Sequence, residues 1–171
     1  MGADQGQVAG WLQGRLPDEW FTGPAEVTVD REEILVVGTL PAPEVEGEAD
    51  GPEAAEAAQG RISRFREDTR DQRISVAREA EHRFGRKVAW AARCGEEEQV
   101  FTHLAVPVMT RLRQPERQVL DTLVEAGVAR SRAHALAWCV RLVGEHTEDW
   151  LEQLREAMTS VQKLREEGPA A

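Results

Sequence analysis

The sequence is poor in cysteine and has no long apolar run. Its two cysteines, Cys94 and Cys139, lie far apart and form no CxxC pair, which predicts reduced thiols. No stretch approaches the roughly 18 consecutive apolar residues of a membrane span. The first ten residues, MGADQGQVAG, contain neither the basic nor the apolar segment of a secretory signal. These absences predict a cytoplasmic protein without a membrane partner.

Motifs for catalysis and for metal binding are also absent. The chain has no GxSxG, no glycine-rich phosphate loop and no paired-carboxylate motif. The histidines and cysteines form neither HxxxH nor CxxC pairs, and His134 and Cys139 lie on different sides of a helix. We therefore expect a protein that is not an enzyme, with no catalytic residue, no metal site and no cofactor.

Charge is distributed unevenly along the 171 residues, whose net charge is -10. Residues 1–60 contain 2 basic and 13 acidic residues, whereas residues 61–93 contain 10 basic and 5 acidic residues. Because affinity for phosphate comes from Lys and Arg, the total argues against a nucleic-acid partner, but the basic segment allows local contact. An acidic, solubilising surface without a partner is the alternative.

The first 60 residues predict a helix, a hairpin and a linker. Residues 5–16 have helical apolar spacing and end before Pro17. The runs EVTVD and EILVVGTL are typical of two strands joined by a polar turn, which completes an N-terminal segment over 1–40. Residues 41–60 are rich in Pro, Gly, Ala and Glu, which predicts a flexible acidic linker.

The next segment, 61–105, predicts a long basic helix and a strand. From Ile62 to about Arg93 the chain contains no proline and has helical spacing, interrupted by Gly85, which predicts one long helix or two. A β-prone run follows, and Pro107 divides it into strands at about 99–105 and 108–113. The N-terminal unit is thus predicted to have the order α-β-β-α-β.

Basic side chains recur at helical spacing within that segment. They are Arg66, Arg70 and Arg73, followed by Arg83, Arg86 and Lys87. Such a face can follow nucleic-acid phosphates, including those of RNA. Three interleaved acidic residues between positions 67 and 71 allow an ordinary solvated helix face as the alternative.

The segment 106–145 has the order strand, helix, turn, helix. The first helix is predicted from about Pro115 to Gly127, a favoured left-handed stop, and the second begins after the N-cap Ser131. The second helix places Leu136, Val140 and Val143 on one face. About 40 residues are too few to close a core alone, so we expect two copies to pair.

Two sequences in this segment, MTRLRQPE and GVARSRAHAL, resemble the ribbon-helix-helix family of DNA-binding proteins. The resemblance covers about a quarter of the chain. It implies a homodimer that inserts a two-stranded ribbon into the major groove of double-stranded DNA. Side chains facing the bases would be Met109, Arg111 and Arg113, and those facing the core would be Val108, Thr110 and Leu112.

The resemblance also implies a phosphate contact at the start of the second helix. That end corresponds to Arg130, Ser131 and Arg132. Free backbone N–H groups and the helix dipole favour an anion there.

The last segment, 146–171, predicts a terminal helix over 147–167. Its residues Leu151, Leu154, Met158 and Val161 follow the spacing of a short coiled-coil seam, which would extend the dimer; packing against the N-terminal unit of the same chain is the alternative. The whole sequence is thus expected to be α+β, with an N-terminal α-β-β-α-β unit, a ribbon-helix-helix module and a terminal helix. Its expected function is transcription regulation through DNA, and its N-terminal unit would take a protein partner or ligand. A scaffold that uses the module only for dimerisation remains the alternative.

Overall fold

The computed structural model describes residues 5–44 and 51–167, which form a mixed α+β protein. The chain divides into two compact units, Met1–Pro107 and Val108–Ala171. The first contains α1 (Gln5–Arg15), β1 (Glu26–Val29), β2 (Glu33–Thr39), α2 (Pro52–Asp68), α3 (Arg70–Phe84), β3 (Lys87–Cys94) and β4 (Glu97–Val100). The second contains α4 (Gln114–Glu125), α5 (Arg132–His146) and α6 (Glu148–Glu167).

The sheet of the first unit has the strand order β1-β2-β3-β4. The β1–β2 hairpin confirms the prediction, and its turn is held by Asp30, whose Oδ1 accepts from the backbone N of Glu32 at 2.8 Å and of Glu33 at 2.6 Å. Strands β2 and β3 are parallel, and β4 pairs antiparallel to β3. A parallel pair needs a long crossover connection, and α2 and α3 lie in it.

One face of the sheet carries the core of the first unit. Alternate side chains of the two central strands, including Ile34, Val36 and Trp90, pack with Val76 of α3 and with Leu12 of α1. Because side chains alternate between the faces of a strand, these residues share one side. The helices thus cover the sheet on the side that holds the largest apolar residues.

Of the predicted one long helix or two over 62–93, the structure has two helices, and the last part of the segment is corrected to a strand. Thr69 (φ -98°, ψ 3°) separates α2 from α3, and α3 ends at Gly85, whose φ of 69° is left-handed. Residues 87–94 are not helical but form β3, because they pair with β2 along its whole length. Helical spacing in the sequence did not reveal this long-range pairing.

The prediction of a flexible linker over 41–60 is wrong for residues 52–60. Residues 52–60 belong to α2, which has Pro52 in its first turn and buries Ala58. Ala, Glu and Gln favour helix, and proline is well accepted in a first turn, so local preference explains this start. Residues 45–50 of the predicted linker lie outside the described residues.

The predicted strand over 99–105 is displaced toward the N-terminus, to β4. Its pairing ends where the N–H of Phe101 donates to the backbone O of Trp90 at 2.8 Å. Residues 102–113 form neither helix nor strand in the single chain. A ribbon strand would pair with the same segment of a second copy, so the strand over 108–113 stays a prediction.

The second unit contains the predicted helix pair. After α4 the N–H of Gly127 donates to the O of Val124 at 3.0 Å, and that of Val128 donates to the O of Leu123 at 3.0 Å. This is the Schellman arrangement, and Gly127 has the left-handed φ of 74° that it requires. The predicted stop at Gly127 is confirmed.

The start of α5 and the terminal helix also agree with the prediction. The Oγ of Ser131 accepts from the backbone N of His134 at 3.2 Å and caps α5. The terminal helix is α6, Glu148–Glu167. None of the described helices combines the length and the apolar character that a membrane crossing requires.

Candidate nucleic-acid interface

The segment before α4 is extended and exposes its side chains. Val108 is 88% exposed and Met109 is 98% exposed, and Arg111 and Arg113 are also exposed. The two arginines that the sequence assigns to DNA are therefore accessible. Val108 is nearly as exposed as Met109, although it is predicted to face the core.

Leu112 attaches this segment to the helices. It packs on the small core of the second unit, which consists of Leu120, Ala129 and Ala135. The guanidinium Nη1 of Arg117 donates to the backbone O of Leu112 at 2.7 Å. The apolar packing of Leu112 and this hydrogen bond thus hold the end of the extended segment against the helices.

An apolar groove lies between the extended segment and the two helices. Its lining includes Leu112, Leu120, Ala133 and Leu136. On α5, Val140 is 65% exposed and Val143 is 53% exposed, so the predicted apolar face is open in the single chain. Exposed apolar side chains beside an apolar groove are typical of an interaction site.

The helix α6 has a similar open apolar stripe. Its exposed members are Trp150, Leu154, Met158 and Val161, whereas Leu151 is half-buried. The spacing of the stripe places these side chains on one face of the helix. The predicted coiled-coil seam is therefore accessible to another chain.

The predicted phosphate contact is partly occupied by internal bonds. Arg132 forms a two-pronged ion pair with Asp121 of α4, with Nε–Oδ1 at 2.6 Å and Nη2–Oδ2 at 2.7 Å. The hydrogen bonds from Arg132 lower the pKa of the Asp121 carboxyl. The backbone N–H of Arg130 donates to Nδ1 of His134 at 3.2 Å. At the start of α5 the side chain of Arg130 is exposed and, unlike that of Arg132, forms no ion pair within the described residues.

The predicted basic face of Arg66, Arg70 and Arg73 is corrected by the structure. Arg73 is only 7% exposed, so it does not belong to a solvated stripe. Its Nε donates to Oγ1 of Thr69 at 3.0 Å, and its Nη2 donates to the backbone O of Arg66 at 2.6 Å. The break at Thr69 also places Arg66 and Arg70 on different helices.

The second predicted cluster has three separate environments. Arg83 lies over the ring of Phe84 at 5.6 Å, and Nζ of Lys87 pairs with Glu81 at 2.7 Å. The Nε and Nη1 atoms of Arg86 are buried and have no acceptor among the described residues. These three side chains therefore do not form one solvated track for phosphates.

Three residues that hold Arg132 and Arg73 in place were not predicted from the sequence. Asp121 neutralises Arg132, Thr69 accepts from Arg73, and Phe101 contacts the guanidinium group of Arg73. Their partners lie 4 to 28 positions away in the chain, and no short motif connects them. Within residues 5–44 and 51–167, no group of three His, Cys, Asp or Glu side chains converges on a possible metal position.

The fold and the candidate interface define a two-unit α+β protein whose second unit carries the open surface. Comparison with known families separates the same two parts. Residues 6–100 match the family described as the Rv1265-like protein, N-terminal domain, and residues 113–165 match the Mb1296 C-terminal domain. The chain belongs to the Rv1265-like family.

Among its relatives are uncharacterized protein Mb1296 of Mycobacterium bovis and uncharacterized protein Rv1265 of Mycobacterium tuberculosis. Each is 59% identical over 166 residues, which cover 97% of this chain and 72% of the relative. No solved structure matches the chain.

Proposed function

We propose that the chain is a homodimeric DNA-binding protein, a transcriptional regulator that contacts the major groove through Arg111 and Arg113. The observation that carries the proposal is an exposed, arginine-bearing extended segment that leads directly into a helix pair with an open apolar face. The turn between the helices and the cap of the second helix support it.

Pairing of two copies follows from the open surfaces of the second unit. Val108, Val140 and Val143 are each more than half exposed. Burial of apolar surface stabilises by about 25 cal/mol per Å², so a face of this kind favours association. Two antiparallel copies of the 108–113 segment would also satisfy each other's backbone groups.

Base contact follows from the arginines of that segment. Neither Arg111 nor Arg113 forms an ion pair within the described residues, so their guanidinium groups are available. A guanidinium fork can donate to O6 and N7 of guanine, and a good pair of such bonds discriminates by about 1–3 kcal/mol. Sequence preference is thus assigned to these two side chains.

The test is fluorescence anisotropy of a labelled random duplex with the full chain at about 50 and about 200 mM salt, where phosphate contacts give a large loss of affinity. The Arg111→Ala, Arg113→Ala variant should lose at least about 10-fold in affinity, which corresponds to about 1.4 kcal/mol. The matched control is the Arg141→Ala, Arg155→Ala variant, which removes the same charge from exposed positions on α5 and α6. Equal binding by the two double variants contradicts the proposal.

A second candidate is a scaffold that dimerises through the same surface without binding DNA. The ion pair of Arg132 with Asp121 favours it, because a cation assigned to phosphate is already neutralised. Analytical ultracentrifugation separates the candidates. A dimer that does not bind the duplex at low salt indicates the scaffold. A chain that is monomeric at both salt concentrations contradicts both candidate functions.

A further inference from the structure

Three arginines lie at the junction of α2 and α3. Arg66 lies in the last turn of α2, Thr69 separates the helices, and Arg70 and Arg73 lie in the first turn of α3. We call these three arginines the arginine elbow. It lies within the unit Met1–Pro107, so it is independent of the proposed DNA contact in the second unit.

Arg73 is the buried member of the elbow. Its guanidinium carbon lies 4.8 Å from the ring centroid of Phe101, and that of Arg66 lies 5.8 Å from the same ring. Two of its N–H groups donate to neutral acceptors, namely Oγ1 of Thr69 and the backbone O of Arg66. A guanidinium group has five N–H donors, so donors of Arg73 remain for another acceptor.

The positive charge of the elbow is only partly compensated within the part of the chain described here. Arg70 pairs with Asp71, with Nη1–Oδ1 at 3.9 Å, whereas no described carboxylate forms an ion pair with Arg66 or Arg73. Burial, together with the charges of Arg66 and Arg70, lowers the pKa of Arg73 to about 10. Buried charges in folded proteins are ordinarily paired, so this arrangement is unusual.

We propose that the arginine elbow binds a phosphate dianion, held by the remaining donors of Arg73 together with the exposed guanidinium groups of Arg66 and Arg70. Phosphate suits the site because arginine donates to its oxygens in a planar, two-pronged geometry. The dianion belongs to free phosphate or to a phosphate monoester. A nucleic-acid strand fits less well, because the phosphates on either side of the one bound would meet the exposed Glu67, Asp68 and Asp71, whereas a single phosphate group has no such neighbours.

The test is isothermal titration calorimetry of the full chain with inorganic phosphate, at constant ionic strength maintained with chloride. We expect saturable binding that weakens at least about 10-fold in Arg66→Gln and in Arg70→Gln, since each removes charge-assisted hydrogen bonds. The matched control is Arg78→Gln, which removes one charge from an exposed position of α3 outside the elbow. The exposed arginines are chosen because replacement of Arg73 perturbs the helix junction itself.

Several outcomes overturn the proposal. The first is the absence of saturable binding, and the second is an equal effect of all three substitutions. The third is binding that does not strengthen as the pH rises from 5.5 to 7.5, because the second ionisation of phosphate near pH 6–7 increases the fraction of the dianion over that range. A parallel titration with phenyl phosphate identifies the source. Tighter binding than that of inorganic phosphate assigns a monoester, and weaker or equal binding assigns the free ion. Because Arg111 and Arg113 lie outside the elbow, failure here leaves the DNA measurement unaffected.

Discussion

Replacement of Gly127 by alanine tests the turn that joins α4 to α5. Gly127 has a φ of 74°, and a Cβ added there would meet no atom within 4 Å. The cost is therefore one of backbone conformation and not of crowding. A left-handed conformation costs an L-residue about 1–2 kcal/mol, and alanine reduces the entropy of the unfolded chain by about 0.4–1 kcal/mol. We expect a net destabilisation of about 1 kcal/mol.

The control is Gly144→Ala, because Gly144 lies in α5 and its added Cβ also meets nothing within 4 Å. Here the backbone is helical, so alanine should stabilise the protein by roughly 0.5–1 kcal/mol. The two substitutions add the same methyl group to the same unit and are predicted to change stability in opposite directions.

Urea unfolding of the full chain, followed by far-ultraviolet circular dichroism at one protein concentration, measures both changes. In a thermal scan, about 1 kcal/mol corresponds to a shift of roughly 4–8 °C for a unit of this size. A Gly127→Asn variant should recover part of the loss, because asparagine tolerates the left-handed region. Stabilisation by both alanine substitutions, or an unchanged unfolding midpoint in Gly127→Ala, would contradict a conformational cost at Gly127.

Three further predictions concern the first unit. Gly38→Ala should destabilise it by about 1–3 kcal/mol in urea unfolding, because the new Cβ would clash with the ring of Phe21; an unchanged midpoint would contradict that close approach. Hydrogen bonds from the backbone N–H groups of Glu33 and Glu32 lower the pKa of Asp30 from its ordinary value, so its contribution to stability should disappear as the pH falls through the lowered pKa; Asp30→Ala should show a weaker acid dependence in pH-dependent unfolding. Iodoacetamide should modify Cys139 before Cys94, because burial raises the pKa of the Cys94 thiol; peptide mass spectrometry gives the order, and the reverse order would contradict the packing.

Elements with strong local signals were predicted well from the sequence. Pro17 follows α1, Gly127 ends α4 in a left-handed conformation, and Ser131 caps α5. Each of these signals acts within about four residues of the helix end that it determines. They are therefore readable without knowledge of the tertiary structure.

Elements that depend on distant pairing were not predicted. The strand β3 was interpreted as helix because Val88 continues the helical spacing of the preceding residues, yet it pairs in parallel with β2. Residues 33–39 and 87–93 are aligned in that pair although α2 and α3 separate them. A central parallel strand is buried on both faces and lacks the alternation that would identify it.

The candidate site was predicted only in part, because the contacts that would distinguish its two sides belong to the proposed dimer. Val108 is 88% exposed and Met109 is 98% exposed, so burial in one chain does not separate the side predicted to face the core from the side predicted to face DNA. A second copy would distinguish the two sides, because it would cover one set of alternating side chains and leave the other set exposed. The proposed assignment of Arg111 and Arg113 to DNA therefore depends on the proposed dimer, so the oligomeric state of their double variant is measured together with its binding: a variant that stays dimeric and loses binding indicates base contact.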